Sequence, residues 1–160
     1  MTAAKILEKF AVKQAFTIAH DATVEDALRA LADRHHHAAP IIDAQGIYKG
    51  MFSAHQVIRS LIPAYLVDSD VSLDFAMGLS PYLADKLREI YPTLVGDYVS
   101  IEDHSHLDAD THALEALRFL TKYGSPLPIV EKETGKLVGL ISDQSAIQAL
   151  LEVEANHSED

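Results

Sequence analysis

Apolar positions along the chain change period in a fixed order, and that order occurs twice. Val24, Ala27, Leu28 and Leu31 fall three and four residues apart, which predicts a helix with one buried stripe; Ala113, Leu117 and Leu120 do the same. Each stripe is followed by a short apolar run containing a proline, Ala39–Ile42 and Leu127–Val130. A turn at Gly46 or Gly135 leads to a second apolar run that stops at Ser53 or Ser142. Each pair of runs predicts a hairpin of buried strands, with the proline at a strand start or an edge. Helices over Ala54–Leu61 and Asp143–Glu154 close the two units, and extended segments Ala15–Ala19 and Asp103–Leu107 open them. Thr23 with Asp26 marks a helix start, because a hydroxyl there accepts from an otherwise orphaned backbone N–H.

The two units are copies. "EDALRAL" at Glu25–Leu31 returns as "LEALRFL" at Leu114–Leu120, and "GIYKGMFS" at Gly46–Ser53 as "GKLVGLIS" at Gly135–Ser142, both at an offset of 89. "APIID" at Ala39–Asp43 returns as "LPIVE" at Leu127–Glu131, at an offset of 88. Three matches in order at nearly one spacing are the mark of an internal duplication. The predicted order is strand, helix, strand, strand, helix, twice over.

Composition narrows the function. With 48% hydrophobic and 23% charged residues, the 160-residue chain is that of a folded domain. It has no cysteine, which excludes disulfides, thiolate nucleophiles and Cys-based metal sites. No apolar run reaches the roughly 20 residues that span a bilayer, and the N-terminal stretch has no signal-peptide core, so no membrane partner and a cytoplasmic location are expected. The net charge is −11, and residues 64–110 hold ten acidic side chains against two basic ones. Such a surface repels phosphate backbones and argues against nucleic acid as a partner.

The ordered set "APIIDAQGIYKGMFS" and "LPIVEKETGKLVGLIS" resembles the cystathionine beta-synthase (CBS) domain, two of which in tandem form a Bateman module. The resemblance implies an α+β fold with two repeats related by a pseudo-two-fold axis. Repeat 1 would cover residues 1–62, a mostly helical insertion 63–93, repeat 2 residues 94–155, and a disordered tail 156–160. It also implies a non-catalytic regulatory module that binds an adenosine-containing ligand (AMP, ATP, S-adenosylmethionine) between the repeats, forms a homodimer and signals to a partner protein. A module that kept the fold, lost the ligand and mediates assembly is the alternative.

On that resemblance, Thr17, Ile18, His37, Ala39 and Pro40 line the base, while Ser53, His55 and Gln56 meet ribose and phosphate. Leu107, Pro128, Ser142 and Ser145 form a second, weaker site. Ser53 and Ser142 stand where a strand turns into a helix, whose start offers N–H donors and partial positive charge to a phosphate. The family pattern puts an aspartate three residues later to accept from the ribose hydroxyls. This chain has Gln56 and Ser145 there, and Asp143 adds a negative charge beside the proposed phosphate position, so repeat 1 is the favoured site. Hydrogen bonds to charged groups are worth about 1.5–3 kcal/mol against about 0.5–1.5 for neutral ones, so losing the carboxylate costs on the order of tenfold in affinity. The same residues also suit a purely structural role, since Ser53-x-x-Gln56 is a capping box and Ser142 or Asp143 can cap the second helix.

His35–His37 lie between the first helix and the proline-bearing strand, which places them at the edge of the expected cleft. His104 and His106, two apart, would share a strand face and make a metal site the lesser alternative. The insertion predicts a helix with Ser80 as cap, Pro81 in the first turn, Pro92 as stop and Leu83, Leu87, Ile90 and Tyr91 on one face. Val71, Leu73, Phe75 and Met77 add apolar surface to it. It is expected to pack on its own module, with a lid or a dimer contact as the alternatives. The chain carries no Gly-rich phosphate loop and no Ser-His-Asp pattern, and Ser53 and His55 diverge at a helix start, so no enzyme is expected.

Overall fold

The computed structural model describes residues 10–12, 15–63, 79–99 and 106–158. In repeat 1, strand β2 (Ile18–Ala19) leads into helix α1 (Val24–Arg34), followed by β3 (Ala38–Ile42), β4 (Tyr48–Ser53) and α2 (Ala54–Leu61). Helices α3 (Leu79–Ile90) and α4 (Val95–Tyr98) follow. Repeat 2 has β5 (Leu107–Asp108), α5 (Ala113–Tyr123), β6 (Leu127–Val130), β7 (Leu137–Ile141) and α6 (Asp143–Ser158). Strand β1 (Ala11–Val12) precedes both. The architecture is α+β, and the predicted element order holds in both copies.

Two differences have local causes. Helix α6 continues to Ser158, so residues 156–158 of the expected tail are helical. Its last turns expose every side chain, and the run "LEVEANHS" lacks the apolar periodicity from which a helix is recognised. Helix α3 already includes Leu79 and Ser80, so Ser80 is inside the helix rather than its cap. Val71, Leu73, Phe75 and Met77 lie outside the described residues.

Each repeat pairs its strands once in parallel and once antiparallel. β2 runs parallel to β3 and β3 antiparallel to β4; β5 runs parallel to β6 and β6 antiparallel to β7. Both hairpins slip register at equivalent places, between Ile41 and Ile42 and between Ile129 and Val130. The Asp43–Gly46 turn is one residue shorter than Glu131–Gly135, which is why the repeat offset changes from 88 to 89 across it. Gly46 and Gly135 both adopt positive φ, +80° and +76°, a conformation that costs glycine nothing.

The repeats also exchange segments. Ala11 and Val12 pair with Ile141 and Leu140, so β1, from the start of repeat 1, becomes the edge of the repeat 2 sheet (order β1-β7-β6-β5). Phe10 is buried with Leu107, Ala116, Leu120, Ile129 and Ile141. Conversely, Val95 and Val99, from the start of repeat 2, are buried with Val24, Leu31, Ile41 and Phe52 of repeat 1. Phe10 and Val99 are themselves 89 positions apart. Backbone bonds fix the second crossing: Val24 N–H donates to Thr93 O at 2.8 Å, Val95 N–H to Ala22 O at 2.9 Å and Gly96 N–H to His20 O at 3.0 Å. The described part of the insertion packs on repeat 1 through Leu87 and Ile90, and Tyr98 Oη donates to Ser60 Oγ at 2.9 Å.

The hairpin turns meet as well. Tyr48 N–H donates to Gly135 O and Leu137 N–H to Gly46 O, each at 3.0 Å, with an antiparallel bridge between Ile47 and Lys136. The two sheets are therefore joined by reciprocal backbone bonds about the pseudo-two-fold axis.

Candidate functional site

A cleft of about 600 Å³ lies between the repeats. Repeat 1 contributes Ala15, Phe16 and the His35–Ala38 passage from α1 into β3; repeat 2 contributes Ser125, Pro126, Leu140 and the start of α6, Ser142–Gln144. The geometry is set by how α1 ends. Thr23 caps its start, accepting from Asp26 N–H at 3.1 Å, and Glu25 and Asp26 fill the first turn. The helix stops at His35, which takes the left-handed conformation at φ 56° while His35 N–H and His36 N–H return to Ala32 O and Leu31 O. That stop turns His36 and His37 into the cleft ahead of the buried strand. The His36 ring lies parallel to Phe16, centroids 6.3 Å apart, and the Arg34 guanidinium sits 4.3 Å from the Phe16 centroid.

His37 joins the repeats. Its Nε2 lies 3.2 Å from Ser125 O, the residue at the equivalent position in repeat 2. The two positions also perform the same task by different atoms. His37 O accepts from Ala54 N–H, the first N–H of α2, at 2.9 Å, whereas Ser125 Oγ accepts from Asp143 N–H, the first of α6, at 3.0 Å.

Both helix starts are reciprocally capped. In repeat 1, Ser53 Oγ accepts from Gln56 N–H at 3.1 Å and Gln56 Oε1 accepts from Ser53 N–H at 3.3 Å. In repeat 2, Ser142 Oγ accepts from Ser145 N–H at 3.1 Å and Ser145 Oγ accepts from Ser142 N–H at 2.9 Å. The Ser145 hydroxyl also approaches Phe10 O at 2.6 Å, tying the helix start to the exchanged N-terminal segment. The residues at the two ribose-contact positions of the family pattern are thus both turned to their own helix start.

The residues expected at the site do not all meet there. His37 and Ser142 line the cleft. Ile18, Ala39, Pro40, Leu107 and Pro128 are core residues, with exposures of 4% or less, so their side chains are turned away from it. The β3 and β6 runs holding Ala39, Pro40 and Pro128 are buried on both faces, and an uninterrupted apolar run is the sequence sign of that. Thr17 is half-buried just before β2. Ser53, His55 and Gln56 stand at the α2 start, and none of them joins the lining of this cleft. This cleft pairs the strand start of repeat 1 with the helix start of repeat 2. Phe16, Ser125 and Leu140 were not read from the sequence. Ser125 was available there, since it is the repeat 2 counterpart of His37.

The histidine pair considered for a metal falls partly outside the described residues, which do not include His104. His106 stands beside Tyr48, ring centroids 6.0 Å apart, in a separate hollow with Asp108 and Glu131. Among the described residues no group of three or more His, Asp or Glu side chains is arranged to hold a metal ion. Also among them, no helix is long and apolar enough to cross a membrane.

Two tandem α+β repeats with exchanged edge segments and a cleft between them define a class of duplicated module. The CBS domain family profile matches residues 6–63 and again 95–152, and the chain belongs to that family as a tandem CBS pair. Solved structures agree on the fold. CBSX2 from Arabidopsis thaliana is 19% identical, with 96% of each chain covered and a TM-score of 0.71. CBSX2 in complex with AMP is 21% identical over 96% of this chain and 98% of that one, at 0.65. CbpB in complex with c-di-AMP is 13% identical over 98% and 97%, at 0.66. No curated protein matches the chain in sequence.

Proposed function

We propose that this chain is a regulatory module that binds an adenosine-containing ligand between its repeats and passes the bound state to a partner protein, without catalysing a reaction. The observation that carries the reading is the cleft of about 600 Å³ between His35–Ala38 and the start of α6. Its volume lies within the range of small-molecule sites, roughly 300–1,000 Å³. Its two walls bring an aromatic and imidazole face, Phe16 and His36, opposite a helix N-terminus that favours anionic groups. AMP in CBSX2 and c-di-AMP in CbpB make adenine nucleotides the first ligands to try. The base would lie along Phe16 and His36–Ala38, and the phosphate towards Ser142–Gln144.

A homodimer belongs to the same proposal. Ile58 on α2, Ile62 just after it, and Ile147 and Leu151 on α6 are exposed apolar residues at equivalent positions of the two repeats, and a second copy would cover both ridges. The cytoplasm is the proposed location.

Thermal unfolding against AMP, ADP, ATP, S-adenosylmethionine and c-di-AMP tests the reading. A ligand at 100 times its dissociation constant stabilises by about 2.7 kcal/mol. Asp143→Asn removes the carboxylate beside the phosphate and is expected to enlarge the shift given by AMP. No shift with any nucleotide on a folded protein would favour the second reading, a ligand-free assembly module. The observation behind that alternative is that Gln56 and Ser145 already spend their polar groups on helix caps.

A further inference from the structure

Asp143 is the one formally charged residue in the described lining of the cleft, and His35, His36 and His37 are its titratable neighbours there. With the imidazoles neutral the lining carries one negative charge, which opposes a phosphate. With two of them protonated it carries one positive charge, which attracts one. The sign of the cleft therefore depends on the histidines. Histidine is the side chain whose charge ordinarily changes between about pH 5 and 8.

We propose that His36 and His37 make the cleft a proton-coupled anion site, so that a phosphate-bearing adenosine ligand binds more tightly as pH falls. This rests on the adenosyl reading above and adds the regulation of that site. The surroundings are compatible with charging both rings. His37 Nε2 already lies 3.2 Å from Ser125 O, where a protonated ring keeps its donor and gains a second at Nδ1. His36 lies over Phe16, a ring face that tolerates a cation. Asp143 lines the cleft opposite them on α6. The Arg34 guanidinium sits on Phe16, 4.3 Å from its centroid, and the α6 start brings partial positive charge. No other charged side chain lines the cleft among the described residues.

The sign follows. The protonated rings attract the phosphate from across the cleft, so binding takes up protons, and affinity is highest below the histidine range and falls as pH rises through it. AMP itself gains charge in this range, so the probe is its methyl ester, a phosphodiester of constant charge, with adenosine as the neutral control. Calorimetric titration at about pH 5.5 and about pH 8 is expected to show the ester roughly fivefold to tenfold tighter at the lower pH, with adenosine unchanged. The His36→Gln/His37→Gln variant, checked for an unaltered melting profile, is expected to lose the difference between the two pH values, at whatever affinity it retains. Wild-type protein near pH 6.5, titrated in two buffers of different ionisation heat, is expected to show net proton uptake, a readout that needs no variant. Equal ester affinity at both pH values, or no proton uptake, overturns the inference and leaves the adenosyl reading standing. Failure of AMP and adenosine to bind at any pH removes that reading and the inference together.

Discussion

Repeat 1 and repeat 2 descend from one plan, and the places where they differ show which features the fold requires. Both keep the strand order, the hairpin with its register slip, the glycine at the turn and the serine that caps the last helix. They differ in the atoms that do the fastening. Repeat 1 anchors the first N–H of α2 with the His37 carbonyl and repeat 2 anchors that of α6 with the Ser125 hydroxyl. Repeat 1 closes its cap with a glutamine amide, and repeat 2 with Ser145, which reaches on to Phe10 O. The hydrogen bonds persist while the residues supplying them change.

The largest effects are expected where the halves depend on each other. Phe10 and Phe52 are each buried, at 4% and 0% exposure, one completing repeat 2 from outside it and one belonging to repeat 1. Phe10→Ala and Phe52→Ala should each cost about 3–5 kcal/mol, read by urea unfolding. Because Phe10 and Val99 cross between the cores, both variants should retain one unfolding transition. Two separated transitions in either would show that the repeats are energetically independent.

Gly96 sharpens the same comparison at the other crossing. A Cβ there would stand 2.9 Å from His20 O, a backbone atom with little room to yield. Gly96→Ala should cost about 1–3 kcal/mol, the usual range for overpacking. Gly135→Ala meets only a side-chain methyl of Ile47 at 3.6 Å, although its φ of +76° adds strain of about 1 kcal/mol.

The caps rank next. Ser145→Ala removes the acceptor for Ser142 N–H and the link to Phe10 O, so a loss of about 1–2 kcal/mol is expected. Gln56→Ala should lose less, about 0.5–1 kcal/mol, since its 3.3 Å bond stands alone. A reversed order of melting temperatures would contradict the assignment of the stronger fastening to repeat 2.

The smallest effect concerns Asp43 in the repeat 1 turn. The backbone N–H of Ile47 holds its carboxyl below the usual carboxylate range against the desolvation that would raise it, helped by Gln45 N–H and the Lys49 ammonium. A depressed native value stabilises above the unfolded carboxylate pKa, about 3.9, and that contribution is lost as pH falls through the native value. Asp43→Asn should lower stability slightly at neutral pH and flatten the acid limb below about pH 4, so that variant and wild type converge in acid. An acid limb identical to wild type would assign Asp43 no part in acid unfolding.

Much of the fold was legible because a duplication reads itself twice: a weak helix stripe at Ala113–Leu120 gains force from the matching one at Val24–Leu31. The exchange of Phe10 and Val99 was not legible, since pattern reports that a residue is buried and not which core receives it. The same limit applies to the cleft. His37 and Ser142 were picked out one at a time, yet their meeting across the axis depends on packing between repeats, which no local spacing encodes. Ala39 and Pro40 illustrate the converse, because residues beside a cleft in sequence can face the core in space.

The central claim is that the cleft binding an adenosyl ligand is built from the repeat 1 strand start and the repeat 2 helix start. Titrating AMP into isotopically labelled protein and following backbone amide shifts tests it most directly. The account predicts that perturbations concentrate at His35–Ala38 and Ser142–Ser145 while Ser53–Gln56 stay unmoved. Shifts confined to Ser53–Gln56, or none at saturating AMP, would contradict it.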